Sequence, residues 1–157
     1  MSFRTLFISI LNATILFGTV SHAEKHEELK SVKLLVEDFE RYHGNPEFQA
    51  LVLTQCGAIL SAMSRVTHDN DERIKFDELS QNFISAAIWA KTGFKEVPPS
   101  NNSMNYLTAW ISDRYLAFGD YYFLKFNKEQ AVSGTFFTEE AASELETCGN
   151  FYGDIKP

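Results

Sequence analysis

The sequence predicts an all-α protein: a compact bundle of four main helices plus a short C-terminal helix, stapled by one disulfide. Three observations predict it. Apolar residues recur at spacings of three and four through successive segments and almost nowhere alternate at a period of two. Helix-start and helix-stop residues stand at the ends of those segments. The two cysteines, Cys56 and Cys148, sit on the apolar stripes of two different segments.

The first element is a leader. Arg4 precedes the apolar run Leu6 to Val20, and Ser21-His22-Ala23 places small residues where a signal peptidase reads. The run of about 15 residues is shorter than the roughly 20 a spanning helix needs. Residues 1–23 are therefore expected to be a signal peptide cleaved after Ala23, and residues 24–157 a single helical domain that is periplasmic or extracellular. No second long apolar run follows, so no membrane insertion of the mature chain is expected.

The first helix is expected from about Glu28 to His43, with Leu29, Val32, Leu35, Val36, Phe39 and Tyr42 on one face and Gly44 ending it. Asn45-Pro46 opens the second, because Asn caps free N–H groups and Pro suits the first helical position. Its stripe is Phe48, Val52, Cys56, Ile59, Met63 and Val66, widened by Leu51, Leu53 and Leu60. Small Ser61, Ala62 and Ser64 admit a close neighbour, and this helix is expected to be central. The third runs from about Asp71 to Thr92, with Phe76, Leu79, Phe83, Ala86, Ala87 and Ala90 inward and Gly93 at its end. Pro98-Pro99 makes the next segment a loop. The fourth begins near Asn102 or Ser103 on the stripe Met104, Leu107, Ile111, Tyr115, Phe118 and Tyr122, flanked by Trp110 and Leu124. It is expected to end near Phe126 or break at Gly119-Asp120, with Ser133-Gly134 as a turn. Thr138 caps the last helix, Glu139 and Glu140 favour its dipole, and residues 153–157 are expected to fray.

Charge excludes some partners. The chain carries 14 Lys and Arg against 21 Asp and Glu, a net charge of −7. Arg4 departs with the leader, so the remainder is more acidic still. Its basic residues are scattered, so phosphate backbones and anionic lipid repel it, and nucleic acid is not an expected partner.

In an exported chain thiols oxidise, and two cysteines permit one intramolecular pairing. Cys56–Cys148 would tie the second helix to the last, worth roughly 4–5 kcal/mol by loop-closure entropy. Neither cysteine has the C-x-x-C spacing of a redox pair, and two Cys with scattered His do not make a zinc site. Reduced buried thiols are the lesser alternative.

Other motifs reduce to structure. Thr67 to Glu72 is dense in acids but lacks the central Gly and closing Glu of a calcium loop, and reads as a helix cap. Asp113-Arg114-Tyr115 is expected to face Tyr115 inward and Arg114 toward a carboxylate on a neighbouring helix. Asn101-Asn102-Ser103 is a glycosylation sequon. Haem ligation by Met63, Met104 or His43 has little behind it, since Met at helical spacing is core. No nucleotide, zinc-protease, serine-hydrolase or c-haem motif is present, and neither a cofactor nor a metal is expected.

The run Cys56-Gly57-Ala58-Ile59-Leu60-Ser61-Ala62-Met63, with Leu145 to Cys148, resembles small exported all-helical proteins of aquatic bacteria that carry two cysteines. The resemblance implies export and helicity, and nothing catalytic.

The leading functional expectation is a non-enzymatic binding or interaction module of the cell envelope, its partner an envelope protein. The alternative is a carrier of a small apolar ligand. It rests on Tyr115, Phe118, Tyr121, Tyr122, Phe123, Phe126, Phe136 and Phe137, more aromatics than one helix face can bury, which are candidates for a pocket or interface. A third expectation is a hydrolase with paired carboxylates, for which Asp120 and Glu96 are examples.

Overall fold

The structure is a computed structural model that describes residues 31–37, 44–93 and 101–155, without the side chains of 101–104 and 155. The leader expected over 1–23, the loop over 94–100, His43, Glu96 and most of the Glu28–His43 segment lie outside the described residues. Five helices are present and no strand, among the described residues: α1 (Val32–Glu37), α2 (Pro46–Val66), α3 (Asn70–Lys91), α4 (Asn101–Ser133) and α5 (Glu139–Ile155).

The caps are where the sequence places them. Gly44 turns with φ 81°, a value that favours glycine. Asn45 then accepts from the N–H groups of Glu47 and Phe48 at 3.0 and 3.2 Å. Asp69 accepts from Asp71 and Glu72 at 2.8 and 2.9 Å, so the acid-rich Thr67–Glu72 segment is occupied in starting α3. Thr138 Oγ1 accepts from Ala141 N at 3.3 Å at the start of α5.

The core is built around α2. Every residue from Val52 to Leu60 is buried, and α2 packs most extensively on α3, then on α4, with smaller contacts to α5 and α1. A helix buried nearly all round must be apolar or small nearly all round, and α2 is. At Gly57 α3 comes close: a Cβ there would stand 3.0 Å from Ile84 Cδ1 and 3.2 Å from the Ser80 carbonyl oxygen.

The staple forms. Cys56 of α2 and Cys148 of α5 are bonded across 92 positions, with Cα atoms 5.7 Å apart. Both cysteines belong to the buried core, with Leu53, Ile59, Met63, Phe126 and Phe151. At one end Lys91 of α3 pairs with Glu47 of α2 and places its ammonium 4.2 Å from the centre of the Trp110 ring of α4. The Lys91 hydrogen bond and charge hold the Glu47 carboxyl below its ordinary range.

Four helical details differ from expectation. α4 does not stop at Phe126 or break at Gly119; it runs to Ser133. A glycine inside a helix costs about 1 kcal/mol, and burial of Phe118, Tyr122 and Phe126 on one face outweighs that. α5, expected to fray from Gly153, stays helical to Ile155, with Phe151 buried near its end. On α3 the inward row is Ser80, Phe83, Ala87 and Ala90, while Leu79 is exposed. The rotation follows from the hydroxyl of Ser80, which reaches the Gly57 carbonyl at 2.8 Å and so can be buried. Leu124, expected beside the core, faces outward as well.

Gly57→Ala and Gly149→Ala should separate. Both are helical, but Gly149 faces open space, so Ala there should stabilise by up to about 1 kcal/mol through helix propensity. At Gly57 the contact with α3 should cancel that gain or reverse it, leaving a gap of about 1 kcal/mol or more in denaturant unfolding. Equal effects would mean that α2 and α3 are not in tight contact there.

Candidate functional site

The aromatic residues singled out from sequence divide into four groups. Phe118, Tyr122 and Phe126 are buried in the core. Tyr122 and Phe126 have ring centres 5.8 Å apart, and Phe126 lies 6.2 Å from half-buried Phe136. Phe123 packs under the Arg65 guanidinium at 3.9 Å, and Arg65 also pairs with Asp120 at 3.3 Å. Asp120 is thus engaged with a cation. Tyr121 and Phe137 are exposed. Tyr115 is the member of the set that lines the cleft between α3 and α4.

A buried polar chain ties α4 to α5 and α1. Gln55 Nε2 of α2 donates to the Tyr122 hydroxyl at 2.8 Å. That hydroxyl donates to the Glu144 carboxylate at 3.2 Å. The same carboxylate oxygen accepts from Val32 N at 2.9 Å, at the first turn of α1. Glu144 is only 3% exposed. It lies one turn before Cys148 on the same face of α5, so the disulfide and the carboxylate enter the core together. Burial pushes the Glu144 carboxyl above its ordinary value, against the lowering effect of the Val32 and Tyr122 hydrogen bonds. Burial and the neighbouring Glu144 charge push the Tyr122 hydroxyl up, so it keeps its proton. These groups build the fold: they face the core and are not among the residues of the α3–α4 cleft.

The cleft lies between α3 and α4 and opens to solvent, with a volume of about 440 Å³. Ser80, Gln81, Ile84 and Ser85 line one side, and Ile111, Ser112 and Tyr115 the other. At its inner end Ser80 Oγ donates to Gly57 O at 2.8 Å and lies 3.0 Å from the Tyr115 hydroxyl. A serine hydroxyl has one proton. Since a carbonyl only accepts, that proton goes to Gly57, and Tyr115 must donate to Ser80. Ser85 Oγ likewise donates to the Gln81 carbonyl at 2.9 Å. Tyr115 and Ser85 therefore turn acceptor lone pairs, not protons, toward the cleft.

No protein-family model, curated protein or solved structure matches the chain. The site must be read from its own chemistry.

No cluster of three metal-ligating side chains exists among the described residues. Arg114 lies over its own helix's Trp110, 4.0 Å from the ring centre, and donates to the Trp110 carbonyl at 3.4 Å. Exposed apolar residues on α4, among them Tyr106, Leu116 and Leu124, share its surface with exposed Asp113 and Asp120, which interrupt them. Scattered exposed apolar residues of this kind are ordinary on a protein surface.

Sequence reading missed Ser80, Gln81, Ser85 and Ser112. Only Ser80 carried a signal, as a small hydroxyl at the spacing of the row Phe83, Ala87 and Ala90. The others look like any solvated helix position.

The raised Glu144 pKa has a pH signature. A carboxyl whose folded value lies above its ordinary 4.5 favours folding in its neutral form. Its contribution is fully present below that ordinary value and is lost as pH rises through the folded value. Glu144→Gln keeps an acceptor for Val32 N without the charge. Its melting temperature relative to the parent should therefore rise as pH increases above the ordinary 4.5. Parallel pH profiles would contradict the buried, desolvated carboxylate.

Proposed function

We propose that the chain is an exported, non-enzymatic binding module of the cell envelope, and that it binds its ligand in the α3–α4 cleft. The observation that carries this reading is the cleft itself. It joins an apolar strip, Ile84 and Ile111, to a small set of hydroxyl and amide groups, the combination that small-molecule sites use for affinity and orientation. Its walls belong to two long helices fixed on the core, which suits a preformed site.

Binding is favoured over turnover by what lines the cleft. General acid–base work requires a group that titrates near the working pH. The one ionisable side chain in the lining is Tyr115, and its proton is engaged with Ser80. Export is supported by the leader-like residues Leu6 to Ala23 and by the disulfide, a bond that persists in oxidising compartments.

A fragment screen by amide NMR on the oxidised protein tests the reading. Hits should shift the amides of residues 80–85 and 111–115 in a saturable way. Hits that map instead to the outer side of α4, or no saturable shift at the cleft, would overturn it.

A further inference from the structure

Resting on the reading of the cleft as a binding site, we propose that it recognises a donor-only cationic head, a primary ammonium or guanidinium, carried on an aliphatic body. The acceptor bias of the wall is the first reason. Tyr115 Oη donates to Ser80, whose own proton is held by Gly57 O, and Ser85 Oγ donates to the Gln81 carbonyl. Each oxygen retains lone pairs and has no proton left to offer. A carboxylate or phosphate in the cleft would meet these lone pairs with its own. An ammonium carries three N–H donors and no acceptor, a guanidinium five.

Charge is the second reason. No Lys, Arg or His is among the lining residues. Exposed Asp77 stands one turn before Gln81 on the same face of α3, and the chain as a whole is acidic, at −7. The overall charge therefore favours a cation, and Asp77 adds to it on the α3 side. Shape supplies the third. Ile84 and Ile111 line the cleft from opposite helices, and an aliphatic body laid between them leaves its head at the Tyr115–Ser85 acceptors. Gln81 and Ser112, which can donate as well as accept, have oxygens for the remaining N–H groups.

Three probes of equal length decide it: n-hexylammonium, hexan-1-ol and hexanoate, titrated into the oxidised protein and followed by amide NMR. Hexylammonium should bind about tenfold more tightly than hexan-1-ol, the margin of a charge-assisted over a neutral hydrogen bond, and hexanoate should bind least. Tyr115→Phe keeps the ring and removes the acceptor, so hexylammonium should fall to the level of hexan-1-ol. Ser85→Ala, at an exposed position, should weaken hexylammonium alone, and it serves should Tyr115→Phe fail to fold. Equal binding of alcohol and ammonium, or tighter binding of hexanoate, overturns the cationic head while leaving the cleft a binding site. Silence of the cleft amides toward all three probes overturns it too. Only an accompanying absence of cleft hits in the fragment screen would remove the binding reading itself.

Discussion

Within one turn of α2, the consecutive residues Gln55, Cys56 and Gly57 each hold a different long helix. Successive side chains on an α-helix point about 100° apart, so three in a row address three directions. Gln55 donates to Tyr122 of α4. Cys56 is bonded to Cys148 of α5. Gly57 lets α3 approach and accepts from Ser80. Remove α2 from this position and the other helices share little: α3 and α4 have only a minor direct contact apart from their common packing on α2. The cleft exists because two helices rest on a third that keeps them apart on its far side.

The three ties differ physically. The disulfide acts on the unfolded chain, shrinking its entropy. The Gly57 contact works through proximity and is lost with one added methyl group. The Gln55–Tyr122–Glu144 chain carries a cost, because it buries a carboxylate. In return Glu144 starts α1 by accepting from Val32 N, and it gives buried Tyr122 a place for its proton. With residue 144 one turn from residue 148, the covalent tie places the carboxylate, and α1 depends on both.

Much of this was legible from local signals. Asn45, Asp69 and Thr138 act within four residues of themselves, so caps are readable in a single sequence. The centrality of α2 followed from its wide apolar stripe and small residues, and the cysteine pair from counting and compartment. Partners distant in sequence were not readable. Ser80 meets Gly57 across 23 positions, Gln55 meets Tyr122 across 67 and Glu144 meets Val32 across 112. Nothing local marks a glutamate as buried when its partner is a backbone N–H on another helix. The aromatic run was visible as an excess, but its division into core, surface and cleft depends on the α4 register. That register carries Tyr115 alone of the set to the cleft beside Ser80.

Native-state hydrogen exchange, with the disulfide intact and then reduced, tests the central role of this turn most directly. The amides of Gln55 to Leu60 should be among the slowest in the protein and should open only with global unfolding. Reduction should speed exchange in α5 first while that turn, with α3 and α4, retains relative protection. Exchange of the 55–60 amides through a local opening that leaves α3 and α4 protected would contradict the account.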